Sequence, residues 1–377
     1  MNNTIRILHI LESLDIGGLE NGVVNLANNL DPSRFKTIIC CVRREGLLKS
    51  RLKPHVKVFC LKEKPGFNPL TAITVARLCH KERITVMHTH GWAGGLFCGT
   101  LGAYISRVPV ILNGEHGVFY IDKSRRRIAQ KFLFALTQKI IPVSFDLKDD
   151  LIRYFGIKPT NIIPIVNGVD MEKFKPDKQA RRLRRKELGL SDTDIVIGSV
   201  GRLVPIKDYP TLLRAAERVM REQPSIKLVL IGDGEQRDEL HKITISLGIE
   251  SNIVFLGARN DVHELMNMFD LFALSSIDEG LSNVILEAMS TGIPVVATAV
   301  GDNPSIIRDG MTGVLVQVGN VEALATAIRR CINPLNAMQM GGAGRKRIEE
   351  HFSLERMIEN YENLYIKSVS ESRKRYV

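Results

Sequence analysis

Short apolar runs alternate along this chain with longer segments whose apolar residues recur three and four positions apart. That alternation predicts βαβ units on parallel sheets, an α/β fold. In the first half, strands are expected at Ile5 to Leu11, Lys36 to Val42, Val56 to Cys60, Ile84 to Met87, Val108 to Leu112 and Ile140 to Val143, with another ending at Val166-Asn-Gly-Val-Asp170. Helices fall between them: from the Gly17-Gly18 turn through Leu30, Pro69 to Glu82, Trp92 to Ser106, a basic one from Lys123, and Phe145 to Phe155. Phe174-Lys-Pro-Asp177 and the charged run Arg181 to Glu187 mark a boundary. The second half repeats the theme, with strands at Ile195 to Val200, Ile226 to Ile231, Ile253 to Leu256, Asp270 to Ser276, Pro294 to Ala299 and Gly313 to Gln317. Helices are expected from Pro210 to Arg221, from Asp261 to Met268, after an N-cap at Ser282 or Asn283, and at the C-terminal end.

Parallel sheets gather ligands at the carboxyl ends of their strands, and several chemistry-bearing residues fall there. In Asp278-Glu-Gly-Leu-Ser-Asn-Val-Ile-Leu-Glu287, the carboxylates Glu279 and Glu287 flank a loop-to-helix junction. The unpaired amides of that first turn suit a phosphate, and the carboxylates suit sugar hydroxyls. Alone, such a pair reads first as two solvated glutamates on an ordinary strand-loop-helix, and its context reverses that reading. Arg202 and Lys207, in the loop after Val200, are placed to neutralise a diphosphate. The Gly17-Gly18 turn is a further candidate anion site. It lacks the G-x-G-x-x-G spacing, and the next strand ends in Arg43-Arg44 where a dinucleotide ribose wants an acid, so a dehydrogenase is disfavoured. His88 and His90 end a strand, but no third ligand recurs at a familiar zinc spacing, so no metal is expected. His116, between Gly114 and Gly117 at a strand tip, suits a sugar or phosphate, or a structural hydrogen bond. Asp192-Thr-Asp194 reads as turn capping.

The chain has 377 residues and is 44% hydrophobic, more than one core usually serves, so two domains are expected. Cys40, Cys41, Cys60, Cys79, Cys98 and Cys331 form no C-x-x-C pair and read as reduced core residues of a cytosolic protein. No apolar run approaches a membrane span, and no signal segment is read at the N-terminus. Charge divides the halves: residues 1–170 hold 24 Lys and Arg against 13 Asp and Glu, whereas the remainder holds 28 of each. The +11 therefore belongs to the first half and implies an anionic partner for it: a phosphate-bearing acceptor or an acidic membrane face. Nucleic acid is not expected, because basic residues are not interleaved with aromatics in any recognisable module. The helix after Lys123, with Arg125, Arg126, Arg127 and Lys131 beside Ile128, Phe132, Leu133 and Leu136, either packs its stripe on the sheet or meets a membrane.

Taken in order, Gly17-Gly18, His116, Val200-Gly-Arg-Leu203 with Lys207, Ile231-Gly-Asp-Gly234, and Glu279 through Glu287-Ala-Met with Gly292-Ile-Pro-Val resemble a retaining glycosyltransferase of family 4 with the GT-B fold. The segments Ile16 to Val24 and Gly114-Glu-His-Gly117 further resemble bacterial sugar transferases of exopolysaccharide assembly. The resemblance implies two Rossmann-like domains with parallel sheets facing a central cleft: residues 1–172 on the acceptor side and 173–353 for the nucleotide sugar. The helix at about 354–377 is expected to pack back on the first. By the same resemblance, Glu287 holds the ribose, and Arg202, Lys207, Gly201 and the amides of Ser282, Asn283 and Val284 hold the diphosphate. Glu279 contacts the sugar, Gly17 and Gly18 close over the phosphates, and His116 meets the transferred sugar. His116, Arg202, Lys207, Glu279 and Glu287 are expected to line one cleft. His90, Trp92, Phe119 and Tyr120 are the acceptor-side candidates. The donor is a UDP- or GDP-linked sugar and the acceptor a glycan or lipid-linked glycan of bacterial polysaccharide assembly. Neither metal nor other cofactor is expected, and the enzyme is placed in the cytoplasm, docked peripherally on the inner membrane. A nucleotide-sugar epimerase of the same architecture and a non-catalytic carbohydrate-binding subunit are the alternatives.

Overall fold

The computed structural model describes residues 4–15, 17–64, 68–116 and 124–374, with residues 92, 93 and 124–126 described in backbone only. The chain divides into two units, Met1–Asn167 with Glu355–Val377, and Gly168–Leu354.

In the first unit the strands are β1 (Ile5–Ser13), β2 (Phe35–Arg44), β3 (Lys57–Cys60), β4 (Val86–His90), β5 (Val110–Glu115) and β6 (Lys139–Pro142). The helices between them are α1 (Gly18–Asn29), α2 (Thr71–Lys81), α3 (Thr100–Ile105), α4 (Ser124–Ala135) and α5 (Phe145–Phe155). All strands are parallel in the order β3-β2-β1-β4-β5-β6. β1 lies at the centre, and Ile7, Leu8, Ile10 and Leu11 are buried on its two faces. A strand covered on both faces has a continuous apolar run and no alternation.

The second unit begins with α6 (Lys178–Glu187) and β7 (Ile195–Val200), followed by α7 (Tyr209–Glu222), β8 (Ile226–Ile231), α8 (Arg237–Ser246), β9 (Ile253–Phe255) and α9 (Val262–Leu265). β10 (Leu271–Leu274), α10 (Asn283–Ser290), β11 (Val295–Thr298), α11 (Asn303–Ile306), β12 (Val314–Val316), α12 (Val321–Cys331) and α13 (Pro334–His351) complete it. Its sheet is also parallel, in the order β12-β11-β10-β7-β8-β9. Each sheet therefore winds outward from its first strand in both directions, and a crevice opens at the carboxyl end between the first strand and the fourth: β1 and β4 in one unit, β7 and β10 in the other.

The last helix, α14 (Leu354–Lys374), belongs from Glu355 onward to the first unit. Glu362 accepts the Asp31 amide at 2.9 Å and pairs with Arg34, and the Ser372 hydroxyl donates to Pro109 O at 3.1 Å. Tyr361 and Tyr365 are buried.

Several expectations shift. The helix read from Trp92 is a wide π-type turn, Trp92–Gly99, that tightens into α3 only at Thr100, since Gly94, Gly95 and Gly99 weaken any α-helical preference. No strand ends at Asp170: Pro164 and Gly168 interrupt the ladder, leaving two isolated bridges at Ile162 and Val169. The run Arg181 to Glu187 is helical and docked in the second unit. Arg181 and Arg185 grip the two carboxylate oxygens of Asp270 at 2.6 and 2.5 Å, and Arg185 also donates to Met268 O, Ser191 O and Asp194 O. All six cysteines are free, and five are buried.

Arg185 is 2% exposed, so removing its counter-charge leaves a buried guanidinium uncompensated. Asp270→Ala should lower stability by about 3 kcal/mol, read as a lowered urea midpoint, whereas Asp270→Asn should cost less because it keeps an acceptor.

Candidate functional site

The crevice between β7 and β10 is built by two loops bonded to each other. After β7 the chain passes through Gly201 and Arg202 into a single 3-10 turn, Pro205–Lys207, and then Asp208 at φ 45°. Aspartate is among the few residues that tolerate this left-handed conformation, and here it is fixed from the neighbouring strand. The Ser275 hydroxyl contacts Lys207 O at 3.0 Å and Asp208 O at 2.8 Å, and the Ile277 amide donates to Ile206 O at 2.8 Å. Beside them Gly232, at φ 140°, lies so close to the β7 end that a Cβ there would sit 1.9 Å from Gly201 O, a position closed to every other residue.

This scaffold delivers Lys207 to Glu279. Lys207 Nζ donates to Glu279 Oε1 at 2.5 Å, and the Ser276 hydroxyl donates to the same oxygen at 2.6 Å. Thr298 anchors Ser276 by donating to its carbonyl at 2.6 Å. The two charged side chains are 17% and 10% exposed, so this is no solvated surface pair. Arg202 is exposed and, among the described residues, has no ion-pair partner. Ser282 caps α10 in sequence but not in bonding: its buried hydroxyl accepts from no amide of the first turn and has no partner among the described residues. Glu287, in the second turn of α10, is half-buried, and desolvation outweighs the nearby Lys173 charge and pushes its carboxyl up to about 7. The arrangement offers two cations, an uncapped helix N-terminus, a hydroxyl and two carboxylates at one unit's switch point. That set suits an anion joined to a polyol.

In the first unit the strand register assembles four histidines. His9 of β1 lies opposite His88 of β4, and His90 lies opposite Gly114 of β5. His9 Nδ1 is 3.1 Å from His90 Nε2, His90 Nδ1 is 3.1 Å from His116 Nε2, and His88 Nδ1 is 2.8 Å from the Tyr365 hydroxyl. Gly114 makes room: a Cβ there would meet His90 Nδ1 at 2.9 Å, His88 Nε2 at 3.1 Å and His116 Nε2 at 3.2 Å. Burial lowers the histidines, His9 to about 3 and His116 to about 4, with His88 and His90 well below the ordinary value. His90 is only 2% exposed and meets His116 through its Nδ1. Glu115, bonded to the Asn113 amide at 2.5 Å, is raised by burial to about 7.

Of the other expected residues, Gly17 precedes α1, and the Glu20 carboxylate lies over it: a Cβ on Gly17 would be 2.2 Å from Glu20 Oε2. That N-terminus thus carries its own carboxylate. Asn283 and Val284 open α10. Trp92 starts the π-type turn, and Phe119, Tyr120 and Gly117 lie outside the described residues. Ser275, Ser276, His9 and Tyr365 were not singled out in the sequence. Two hydroxyls closing an apolar strand, and a histidine inside Ile-Leu-His-Ile-Leu, are the signals that mark them. His9 also supplies the third nitrogen that the spacing of His88 and His90 did not reveal, since nitrogens of all three rings lie within 4.8 Å of one another.

The model of the family described as Glycosyl transferases group 1 matches residues 180–347, and that of Glycosyltransferase Family 4 matches residues 16–173. A UDP-Gal:α-D-GlcNAc-diphosphoundecaprenol α-1,3-galactosyltransferase of Escherichia coli is 25% identical over 98% of this chain and 98% of its own. The capsular polysaccharide biosynthesis glycosyltransferase CapM of Staphylococcus aureus is 28% identical over 78% of this chain and 80% of its own. Among solved structures, Anabaena HepE in complex with UDP superposes with a TM-score of 0.84 at 24% identity, covering 97% of this chain and 100% of that one. A glycosyltransferase from Rickettsia africae reaches 0.87 at 21% identity, covering 97% and 99%. These likenesses establish the GT-B fold.

The depressed histidines fix a sign for acid stability. Between the ordinary value of 6.5 and their folded values, the unfolded chain binds protons that the folded chain refuses, so stability is lost as pH falls through that window, by up to about 1.4 kcal/mol per pH unit for each. Glu115 and Glu287, raised from 4.5 to about 7, act oppositely: they favour the fold at low pH and lose that contribution as pH rises to 7. The four histidines outweigh the two strongly raised carboxylates, with Glu20 and Asp150 raised less, so the urea midpoint should fall from pH 7 to pH 5, and less steeply in His9→Asn.

Proposed function

Because the chain belongs to glycosyltransferase family 4, we propose that it transfers a sugar from a nucleoside diphosphate donor to a glycan or lipid-linked acceptor of bacterial polysaccharide assembly, with retention of anomeric configuration. The observation that carries the reading is the Lys207–Glu279 pair at the switch point, beside the uncapped start of α10. Lys207, Arg202, Gly201 and the amides of Ser282, Asn283 and Val284 take the diphosphate; Glu287 takes the ribose hydroxyls. A diphosphate competes with Glu279 for Lys207, and the carboxylate so released accepts sugar hydroxyls. One arrangement thereby couples anion binding to sugar binding. UDP is the favoured donor base, since the E. coli relative is named for UDP-Gal and HepE was solved with UDP.

In the reaction, the bond from the anomeric carbon to the diphosphate oxygen breaks as the acceptor hydroxyl attacks from the same face. The departing phosphate oxygen takes the hydroxyl proton. The leaving group gains negative charge, and Lys207 and Arg202 are the cations that stabilise it, so no metal is required. His116 is the first unit's contribution. An epimerase or a non-catalytic subunit has less support, because the relatives named above are transferases and every position of the motif set is present.

Docking on an anionic membrane is part of the proposal. On α4, Leu133 and Phe134 are buried, but Ile128 and Phe132 are 69% and 59% exposed beside the exposed Lys131. The stripe thus does not pack wholly on the sheet, and the residue left over is apolar with a basic neighbour. Arg127 is spent internally, donating to Tyr154 O at 2.6 Å. No helix among the described residues is long and apolar enough to cross a membrane.

Lys207→Ala and Arg202→Ala should each lower kcat about 10²- to 10³-fold, Lys207→Ala with some loss of stability because Glu279 is left largely buried without its counter-charge, held by the Ser276 hydroxyl alone. Glu287→Gln should raise the donor KM about 10- to 100-fold at pH 8. In the parent enzyme the donor KM should climb as pH falls from 8 to 6, because the carboxylate titrates near 7. Neither EDTA nor added Mg2+ should change the rate, and the product's anomeric proton coupling should match the donor's; inversion would refute the retaining route. Vesicle flotation should require anionic lipid and weaken in Ile128→Ser/Phe132→Ser; indifference to anionic vesicles at low salt would remove the membrane from the proposal.

A further inference from the structure

His9 and His90 lie behind His116 as an unbroken row of imidazoles, and the row has an inner end. His9 is fully buried, and its Nε2 has no hydrogen-bond partner among the described residues. His116, at the outer end, is half-buried, and its Nδ1 is the ring nitrogen left over by the contact of its Nε2 with His90. All the rings are held neutral by burial. A neutral imidazole carries one N–H and one lone pair. Every ring in the row must therefore point its proton the same way, and the state of the inner end dictates the state of the outer one.

Two polarities are available. If His116 Nε2–H donates inward to His90 and His90 Nε2–H to His9, the row ends in a buried His9 Nε2–H with nothing to bond. If instead His9 Nδ1–H donates to His90 Nε2 and His90 Nδ1–H donates to His116 Nε2, the row ends in a buried lone pair. Orphaned buried backbone N–H groups are rarer in folded proteins than under-satisfied acceptors, and the same asymmetry is applied here to the ring nitrogens. The second polarity is therefore selected. The same reasoning applies next door, where the unpartnered His88 Nε2 leaves Nδ1–H to donate to the Tyr365 hydroxyl.

We propose that His9 and His90 are positioning residues that lock His116 as the neutral Nδ1–H tautomer, so that the enzyme presents a fixed hydrogen-bond donor to an oxygen of its ligand and cannot use that nitrogen as a base. The proposal rests on the reading of His116 as the first unit's ligand-facing residue. It assigns that residue a chemical duty, donation to a sugar hydroxyl or phosphate oxygen, in place of proton abstraction. The competing use of these rings is a metal ion held by His9, His88 and His90. The row is favoured because those three rings are 0–2% exposed and bring no acidic side chain into the group, so a dication there would be buried without counter-charge. Gly114 supports the row sterically, since any side chain at that position would displace His90 from His116.

Long-range proton–nitrogen NMR on the intact protein labelled with 15N-histidine reads the tautomer directly, with His116 assigned by its loss in His116→Ala. His116 is expected to be protonated at Nδ1 and bare at Nε2 near pH 7. The opposite tautomer, a charged ring, or a transition metal found at one equivalent by elemental analysis of the purified protein would overturn the proposal. His9→Leu removes the inner donor and should convert His116 to a mixture of tautomers. His9→Asn, whose amide can stand in for Nδ1, should restore the single form. In activity, His9→Leu should lower kcat about tenfold, the size of one ordinary hydrogen bond, with the donor KM little changed, and His9→Asn should recover most of it. An unchanged His116 tautomer in His9→Leu would also overturn the proposal. If the tautomers behave as expected while His116→Ala retains full kcat, the row stands and the reading of His116 as a ligand-facing residue fails instead.

Discussion

A parallel sheet covered on both faces leaves a chain little room for chemistry. Along β1, β7, β8 and β10 the buried side chains are almost all aliphatic or aromatic, so polar groups are admitted mainly where a strand stops. Both units wind in opposite directions from their first strand, and the crevice this opens is where neighbouring strand ends diverge. The positions of Lys207, Glu279 and Ser276 all follow from that constraint. The loops after β7 and β10 must run side by side, and Ser275 and Ile277 bond them together before any ligand is considered.

The buried histidines depart from that rule. His9 and His88 occupy interior strand positions where Val or Ile would pack at no cost in desolvation, and burial holds their rings neutral. Such a departure persists where the polar atoms find partners, and here the partners come from β4, from the residue after β5 and from α14. Tyr365 ties the last helix to this layer through His88. The C-terminal segment is thus part of the polar interior of the first unit as well as an apolar cover for its sheet.

Element type was legible wherever the apolar run was long and unbroken. The strands at Ile195–Val200 and Ile226–Ile231 are read to the residue, and the helix expected near Phe145 to Phe155 is found there, because local periodicity and burial agree. Reading failed where glycine and proline left the backbone free to follow tertiary packing, as in the turn Trp92–Gly99 and the stretch around Pro164 and Gly168. In the candidate site, the residues with unusual chemistry for their position were visible: Glu279, Glu287, Lys207 and His116. Their partners were not. No spacing along the chain relates Lys207 to Glu279, 72 positions away, or His9 to His90, 81 away, because strand register and loop bonding set those neighbours.

That distinction between residues and partners changes what each charge is good for. Read alone, Lys207 is a free cation for a phosphate and Glu279 a free acceptor for a sugar. Bonded at 2.5 Å, each already meets an opposite charge, and a second donor to Glu279 Oε1, the Ser276 hydroxyl, holds the carboxylate independently of Lys207. Under the proposed function, a diphosphate that drew Lys207 away would break a short, largely buried ion pair, and a ligand that also supplied hydroxyls to Glu279 would compensate for the exchange. On that reading a phosphate alone would meet the first demand and not the second, so the pair would discriminate a phosphate joined to a sugar from free phosphate before any contact with the base is made.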